Sequence, residues 1–257
     1  MKARKPIRSE MGWSTVDKIV VRGHDLPNEL IGKIDLGGMA FLEIMGRRPT
    51  AQEADMFNAL LVTLVEHGMT PQAIATRMIN AAAPEALQAA VAAGLCGVGS
   101  VFAGGSEQCA KILQEALKDS PGADDLVKIA ADIVESYVAR KAVIPGIGHP
   151  VHKPVDPRTP VLFGIAERNG FRGRYVALLE AISKEAERRL QRSLPINATG
   201  AIGAVLCELG FSWRICRGIA VISRAVGLVG HIAEEMRNPI ALEIWERTEA
   251  EVYENRD

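Results

Sequence analysis

Most of the chain carries apolar residues at helical spacing. The sequence TAQE at positions 50–53 is a capping box, in which a threonine and a glutamate satisfy each other's backbone amides at a helix start. The large apolar residues that follow share one face of that helix: Met56, Leu60, Leu61 and Leu64. Thr70 and Pro71 pair an N-cap residue with a proline at the first helical position, which indicates a second helix start.

Other segments repeat the helical pattern, and signals for strands are few. Further helices are expected after Pro84, Ser106 and Gly122, and over residues 172–192, 199–209 and 213–236. The main strand signal covers residues 16–21, before a turn-like sequence at 22–24. Because aromatic residues make up only 5% of the chain and β-branched clusters are few, the pattern predicts an all-α protein.

Residues 143–160 interrupt the predicted helices. Five prolines exclude a continuous helix there: Pro145, Pro150, Pro154, Pro157 and Pro160. Irregular segments of this length inside a helical domain are uncommon unless they form functional loops. This one also carries side chains suited to ligand binding: His149, His152, Lys153, Asp156 and Arg158. We therefore expect a stiff, cationic loop that takes part in binding.

The composition is that of an ordinary globular protein. The chain has 257 residues, of which 48% are hydrophobic and 24% charged, enough for one large domain or two smaller ones. With a net charge of −1, the chain has no excess of basic residues that would indicate nucleic-acid binding. The four cysteines lie far apart, without CxxC pairing: Cys96, Cys109, Cys207 and Cys216. Three of the four lie in apolar, alanine-rich sequence, which predicts small buried thiols in a reducing compartment.

Two segments bear on the location of the protein. Residues 1–15 are basic but no apolar run follows them, so we expect no secretory signal. Residues 86–106 carry no charge and nearly reach the length of a membrane span. They consist mostly of alanine and glycine, which favours a helix packed closely inside a soluble protein. The expected location is the cytoplasm, with no membrane partner.

An arginine interrupts one apolar helix. The run 218–233 is apolar except for Arg224 and His231. A buried guanidinium requires an anion, because its desolvation is costly. Two interpretations stay open, namely a salt bridge to a carboxylate of the protein and a bidentate site for a carboxylate ligand.

Two histidines have similarly divided interpretations. His67 lies at the predicted end of a helix, where it either interacts with the helix dipole or faces a ligand. His149 lies between Gly148 and Pro150, where the backbone can approach a ligand closely. His149 and His152 form an HxxH sequence, but no further ligand completes a metal site at a familiar spacing. A metal-dependent hydrolase is therefore a minor alternative, and no metal is expected.

Four separated motifs resemble the citrate synthase superfamily, and within it citryl-CoA lyase and the lyase module of ATP-citrate lyase. Residues 146–158, GIGHPVHKPVDPR, are similar to the histidine loop of the family, and residues 222–235 to its late arginine-containing helix. Residues 66–68 match the D-H-G of the lyases, and residues 194–210 resemble their N-V-D-G segment. The motifs occur in the order of the family, which makes the resemblance specific.

One position favours the lyase branch of that superfamily. Citrate synthases carry a G-P-x-H-G-G segment whose histidine steadies the acetyl-CoA enolate. Phe102 stands at the position of that histidine, and the lyases resemble this sequence in having phenylalanine there. The short region before the first motif points to the same branch.

The resemblance implies a role for each matching residue. His67 would contact an oxygen or carboxylate of the substrate, and His149 would act as acid and base on its tertiary hydroxyl. The implied substrate-binding residues are Asn197, Arg158, Arg224 and Phe102, and those implied to contact coenzyme A are Gly146, Ile147, Gly148 and Lys153. No tightly bound cofactor is implied, since coenzyme A enters as part of the substrate thioester.

One catalytic position departs from the family. The aspartate of N-V-D-G, which exchanges the proton at the α-carbon of the thioester, is replaced by Thr199. A threonine hydroxyl does not serve as a general base near neutral pH without a partner. Three interpretations stay open: a water or neighbouring group protonates the enolate, the substrate is a different 3-hydroxyacyl-CoA, or the protein has weakened activity.

The resemblance implies an all-α, citrate synthase-like fold of two domains, in its short, lyase-type version. The larger domain would combine residues 1–103 with 198–257, and residues 104–197 would form the smaller domain with the 143–160 loop. The expected function is cleavage of a citryl-CoA-like thioester to acetyl-CoA and an oxo-acid, by a homodimer or a dimer of dimers. The alternatives are a lyase or synthase acting on another acyl-CoA, such as citramalyl-CoA, and a non-catalytic protein that binds acyl-CoA or a carboxylate.

Overall fold

The fold is predominantly α-helical, which confirms the predicted class. A computed structural model describes residues 7–102, 104–118, 125–149, 152 and 154–254. The chain divides into two compact units, residues 1–59 and residues 60–257.

The first unit begins with a small antiparallel sheet. Its strands β1 (Gly12–Ser14), β2 (Ile19–Val21) and β3 (His24–Asp25) pair in chain order. The predicted strand over 16–21 is therefore too long. Residues 15–18 form the turn between β1 and β2, closed by a 2.8 Å hydrogen bond from the Thr15 amide to the Lys18 oxygen.

Two helices follow the sheet and a short π-helical turn, Leu26–Leu30. Helix α1 (Leu36–Met45) starts where Asp35 accepts the Gly38 amide at 2.6 Å. Helix α2 (Ala51–Val65) starts at the predicted capping box, with reciprocal Thr50–Glu53 hydrogen bonds of 2.8 and 3.2 Å. Helix α2 continues from the first unit into the second.

The second unit contains nine further α-helices in the part of the chain that the structure describes. They are α3 (Pro71–Ala82), α4 (Leu87–Cys96), α5 (Gly105–Leu117), α6 (Leu126–Ala139), α7 (Arg158–Arg168), α8 (Arg174–Leu190), α9 (Ala198–Glu208), α10 (Cys216–Glu235) and α11 (Ala241–Glu254). The pattern does not predict α1, α7 or α11. Helix α7 begins inside the 143–160 segment because proline is tolerated in the first turn of a helix, where its missing amide has no intrahelical acceptor.

Helix α9 is the most deeply buried helix of this unit. Its residues 198 and 200–207 are all buried, and it packs against α5, α7 and α8. A Cβ atom at Gly203 would lie 2.6 Å from the backbone oxygen of Ser106, so glycine permits the close approach of α9 to α5. Helices α3, α4 and α10 form a second packed group, and α11 adds to α3.

The uncharged segment 86–106 is only partly helical. Its helix α4 ends at Cys96, and residues 97–102 form turns before α5. The expected close packing is present, since a Cβ at Gly94 would lie 2.1 Å from Thr76 Oγ1. The side chain of Leu87 is 40% exposed, so one face of α4 lies open in the single chain.

One stretch within the described residues, Trp213–Glu235, passes a test for a membrane span by length and composition alone. Its mean hydropathy is 1.5, and half of its apolar window is buried inside the protein. Four polar residues of this stretch are also buried: Ser223, Arg224, His231 and Glu235. Its packing against α3 and α4 is that of a core helix.

The division into domains over 1–103 with 198–257 and over 104–197 stays a prediction. Helix α9 lies on the C-terminal side of the predicted boundary at 197/198. Nevertheless it packs against α5, α7 and α8 from the other predicted domain.

Candidate active site

The His149 loop, residues 144–149, is fastened to the segment before α9. The Gly148 amide donates to the Pro195 oxygen at 2.7 Å, and the Asn197 amide donates to the Gly146 oxygen at 3.0 Å. The Asn197 side chain adds a third bond, from Nδ2 to the Gly148 oxygen at 2.8 Å. The residue before His149 is thus held by both backbone and side-chain contacts.

The glycines of this loop have a packing role. Gly146 and Gly148 adopt φ angles of +91° and +78°, which disfavour other residues. A Cβ at Gly146 would lie 2.8 Å from Cys109 Sγ, and Ile147 is only 6% exposed. Contact of residues 146–148 with coenzyme A stays a prediction, and Lys153 lies outside the described residues.

Asp156 and Arg158 form a bidentate pair at the start of α7. Arg158 Nε and Nη2 donate to the two carboxylate oxygens at 3.0 and 2.8 Å, and the Ala198 amide donates to Asp156 Oδ2 at 2.9 Å. Burial raises the pKa of Asp156, but these donors outweigh it and lower that pKa to about 2. Asp156 therefore stays ionised and orients Arg158, whose side chain remains 30% exposed.

Three imidazole rings lie near this pair. The ring of His152 stacks on that of His149, with centroids 4.3 Å apart, and lies 6.4 Å from that of His67. The His152 amide donates to His149 Nδ1 at 2.9 Å. Because Nδ1 accepts this hydrogen bond, the neutral imidazole of His149 carries its proton on Nε2.

The electrostatics keep two of these imidazoles neutral. Partial burial, followed by the charges of Arg158 and Arg224, lowers the pKa of His67. Partial burial and the neighbouring His152 lower the pKa of His149. The charges of Arg158 and Arg224 both act on His67, and that of Arg158 also acts on His149, so these predicted residues are near one another through His67.

Arg224 is buried in α10 and incompletely paired. The residue is 7% exposed, and its Nη1 atom has no hydrogen-bond partner. Burial lowers the pKa of its guanidinium, while the nearby charge of Glu66 acts in the opposite direction. Among the carboxylates in the described ranges, none forms a salt bridge with it. The arrangement favours the ligand-binding interpretation over an internal salt bridge.

Thr199 lies in the first turn of α9. Its Oγ1 donates to Asn197 Oδ1 at 2.8 Å, and the same oxygen accepts the Gly200 amide at 3.0 Å. A Cβ at Gly105 would lie 2.7 Å from Thr199 Oγ1, so the amino end of α5 meets that of α9 here. The hydroxyl is a fixed polar group with free acceptor capacity, and the position supplies no carboxylate base.

Phe102 lies in the turn before α5 and is 48% exposed. The Gly99 amide donates to the Phe102 oxygen at 3.0 Å, which shapes this turn. The role of Phe102 toward substrate stays a prediction. Among the described residues, no group of three or more His, Cys, Asp or Glu side chains is arranged to hold a metal ion.

A buried network beside the site is missing from the sequence-based prediction. Arg77, on α3, contacts His231, Glu234 and Glu235 on α10, and His231 lies 3.0 Å from Glu66. One signal for it was present in the sequence, namely a charged residue among apolar neighbours on α3. Its partners, however, lie more than 150 positions away.

Comparison with known proteins places this arrangement in a family. Residues 36–245 match the family described as citrate synthase, C-terminal domain. The structure of citryl-CoA lyase from Hydrogenobacter thermophilus is similar, with a TM-score of 0.81 and 32% identity, over 91% of this chain and 88% of that chain. An ATP citrate lyase from Methanosaeta concilii, in complex with (3S)-citryl-CoA, has a TM-score of 0.74 and 20% identity, over 92% of this chain and 40% of its own.

A citrate synthase from Deinococcus radiodurans is 25% identical over 241 residues, 90% of this chain and 62% of its own length. The chain thus spans less than two thirds of that relative and of the ATP citrate lyase. The family match itself covers most of the chain, from α1 into α11. The protein belongs to the citrate synthase family.

Proposed function

We propose that this protein cleaves a citryl-CoA-like 3-hydroxy-3-carboxyacyl-CoA thioester reversibly, to acetyl-CoA and an oxo-acid such as oxaloacetate. The observation that carries the proposal is the buried Arg224 guanidinium, whose Nη1 has no hydrogen-bond partner and whose charge, like that of Arg158, acts on His67. Such a site requires a carboxylate ligand. The similarity to a citryl-CoA lyase over about nine tenths of both chains supports the thioester as substrate class.

Two arginines bind the carboxylates of the substrate in this proposal. Arg224 supplies a buried guanidinium group, and its low exposure to water strengthens its attraction for an anion. Arg158 uses Nε and Nη2 for Asp156 and retains hydrogens on Nη1 for the ligand. The neutral His67 donates to, or accepts from, an oxygen of the oxo-acid without adding charge.

His149 stabilises the charge that develops at the tertiary oxygen. In the condensation direction its Nε2–H donates a hydrogen bond to the carbonyl oxygen of the oxo-acid, where negative charge develops as the new carbon–carbon bond forms. In the cleavage direction Nε2 is already protonated, so it donates to the tertiary oxygen while a water molecule takes the hydroxyl proton. The broken carbon–carbon bond then leaves its electron pair on the thioester as an enolate.

Protonation of that enolate requires a donor other than a carboxylic acid at position 199. The Thr199 hydroxyl hydrogen is engaged with Asn197, so Thr199 accepts hydrogen bonds and orients its neighbours. A water molecule supplies the proton in this scheme. The same substitution is the observation that favours the second candidate, a protein that binds acyl-CoA without cleaving it.

A coupled assay for acetyl-CoA release tests the proposal. Citryl-CoA, citramalyl-CoA and malyl-CoA are assayed with the wild-type protein and with His149→Ala, and thermal unfolding of both confirms folding. Cleavage of one thioester that falls at least 100-fold in the variant supports the lyase. Binding of the thioesters without turnover supports the second candidate, as does a gain of cleavage in Thr199→Asp.

We also propose a homodimer or a dimer of dimers in the cytoplasm. On α10, Ile222, Val226 and Val229 recur at helical spacing and are 37–52% exposed, forming an apolar stripe that a second copy would cover. Light scattering after size exclusion gives the mass, and Val226→Glu is expected to shift it to that of the 27.7 kDa monomer.

A further inference from the structure

Arg77 is the largest fully buried side chain of the described residues, and each of its guanidinium nitrogens has an acceptor on α10. Nε donates to His231 Nδ1 at 3.0 Å, and Nη1 donates to Glu235 Oε2 at 2.6 Å. Nη2 donates to the carboxylate of Glu234. Glu235 also accepts the amides of Ile240 and Ala241 at 2.9 and 2.8 Å, so it anchors the start of α11. Arg77 is thus fixed in position.

This fixed donor determines the proton position on His231. Arginine donates hydrogen bonds and accepts none, so Nδ1 of His231 must present its lone pair. The neutral imidazole therefore carries its proton on Nε2, which lies 3.0 Å from Glu66 Oε2. A proton on Nδ1 would face the Arg77 donor and break this contact.

Glu66 connects His231 to the backbone of His67, the residue that faces the substrate in the proposed function. Its Oε1 accepts the amides of His67 and Gly68 at 2.8 and 2.5 Å. Burial raises the pKa of Glu66, but these amides and His231 outweigh it, so that pKa lies below its ordinary value. The carboxylate therefore remains an acceptor that holds the backbone of His67.

The backbone of α10 is adapted to this contact. A Cβ at Gly227 would lie 2.0 Å from the Val65 oxygen and 3.1 Å from Glu66 Oε2. Arg224, Gly227 and His231 follow each other at helical spacing along one buried face of α10. The same face thus carries Arg224 and the imidazole of His231, whose Nε2 lies 3.0 Å from Glu66 Oε2.

We propose that Arg77 is a positioning residue for His67, and that it acts through His231 and Glu66. The inference rests on the proposed function for the identity of the substrate, but its chain of contacts can be measured without turnover. Arg77 touches no substrate in this scheme.

The first experiment uses NMR of the full chain labelled at its five histidines with ¹⁵N and ¹³C. In the wild type, His231 is expected to show a protonated Nε2 and an unprotonated Nδ1. Arg77→Met removes this preference and shifts the His67 ring signals. Glu66→Gln, at a side chain that is 44% exposed, keeps the protonation pattern of His231 and shifts the His67 signals.

Arg172→Met is the control variant. It breaks the surface ion pairs of Arg172 with Glu167 and Glu180 and leaves the His231 and His67 signals unchanged.

Binding and kinetics provide the second experiment, with oxaloacetate as the probe. Arg77→Lys and Glu66→Gln are each expected to weaken oxaloacetate binding about tenfold, and the double variant also about tenfold, because both act on one path. In citryl-CoA cleavage they lower kcat while KM for the thioester changes less than threefold. Unshifted His67 signals in Glu66→Gln, or a hundredfold additive loss in the double variant, would overturn the inference. If no thioester is cleaved, the proposed function fails, and the NMR and binding results still decide the role of Arg77.

Discussion

Asn197 Nδ2 donates to the main-chain oxygen of Gly148 at 2.8 Å, while its Oδ1 accepts from the Thr199 hydroxyl at 2.8 Å. One amide side chain therefore connects the residue before His149 with the first turn of α9. The amide is required, because no carboxylate of similar shape both donates and accepts when ionised.

Asn197→Asp separates the two roles of this side chain. Aspartate keeps the N-cap acceptor and suits the positive end of the α9 dipole, so the free energy of unfolding should stay within about 1 kcal/mol of the wild type. It loses the donor to Gly148, and we expect kcat for thioester cleavage to fall at least tenfold. Urea unfolding and the acetyl-CoA assay measure the two effects. Wild-type kcat in this variant would contradict the role of the Asn197–Gly148 bond.

The Thr199 hydroxyl is expected to matter for orientation. Thr199→Ser keeps the hydrogen bond to Asn197 and should retain activity within about threefold of wild type. Thr199→Val keeps the shape and loses the bond, which should lower kcat about tenfold and cost about 1 kcal/mol of stability. Equal activity of the two variants, measured in parallel with their unfolding free energies, would show that the hydroxyl has no part in the reaction.

Removal of the Arg224 charge should preserve or raise the stability of the ligand-free protein and lower its affinity for carboxylate ligands. Without ligand, the buried guanidinium has an unpartnered nitrogen, so Arg224→Met is expected to leave stability unchanged or to raise it by about 1 kcal/mol. Citrate and oxaloacetate affinity should fall about 100-fold, since a desolvated carboxylate contact is lost. Thermal scans with and without citrate measure both. A lower Tm of the free variant would indicate that Arg224 has a structural partner.

The parts of the fold that the sequence predicts are those set by local chemistry. The Thr50–Glu53 box and the Thr70–Pro71 pair give helix starts because capping involves residues within one turn. The sequence does not predict helix α7 because prolines surround its start. A proline breaks the interior of a helix but is tolerated in the first turn, and the sequence does not show which of these positions it takes. Val16 fits a strand by composition, but a hairpin turn between β1 and β2 takes that position instead.

In the candidate site, too, the sequence predicts what depends on local chemistry and misses what depends on the packing of distant elements. Arg224 stands out in the sequence because a charge within an apolar helix is anomalous wherever the helix lies. The resemblance to a family supplies His67 and His149. The sequence does not reveal the Arg77–His231 contact or the stacking of His152 on His149, because these depend on how distant elements pack. The pairing of Arg158 with Asp156 is equally a product of the folded loop.

Acid should destabilise the protein through Asp156. The folded-state pKa of this carboxyl is about 2, below its ordinary value of 3.8, so its contribution is complete above about pH 4. As the pH falls through the folded-state pKa, that contribution, about 2 kcal/mol, is lost. Asp156→Asn should reduce the unfolding free energy at pH 7 by about 2 kcal/mol and flatten its decline between pH 4 and pH 2. Parallel pH profiles for wild type and variant would contradict this assignment.

Two glycine substitutions test whether the backbone contact between α9 and the His149 loop supports the site. A Cβ at Gly200 would lie 2.1 Å from the Gly146 oxygen, and neither backbone can yield without moving the loop. Gly200→Ala should therefore cost about 2–4 kcal/mol and abolish cleavage. Gly164, inside α7, has no atom within 4 Å of the corresponding Cβ, so Gly164→Ala should stabilise the protein by about 0.5–1 kcal/mol. Denaturant unfolding of both variants gives the comparison. A Gly200→Ala protein with wild-type stability and activity would mean that the loop does not depend on this contact, and the geometry that fixes His149 would have to come from Asn197 alone.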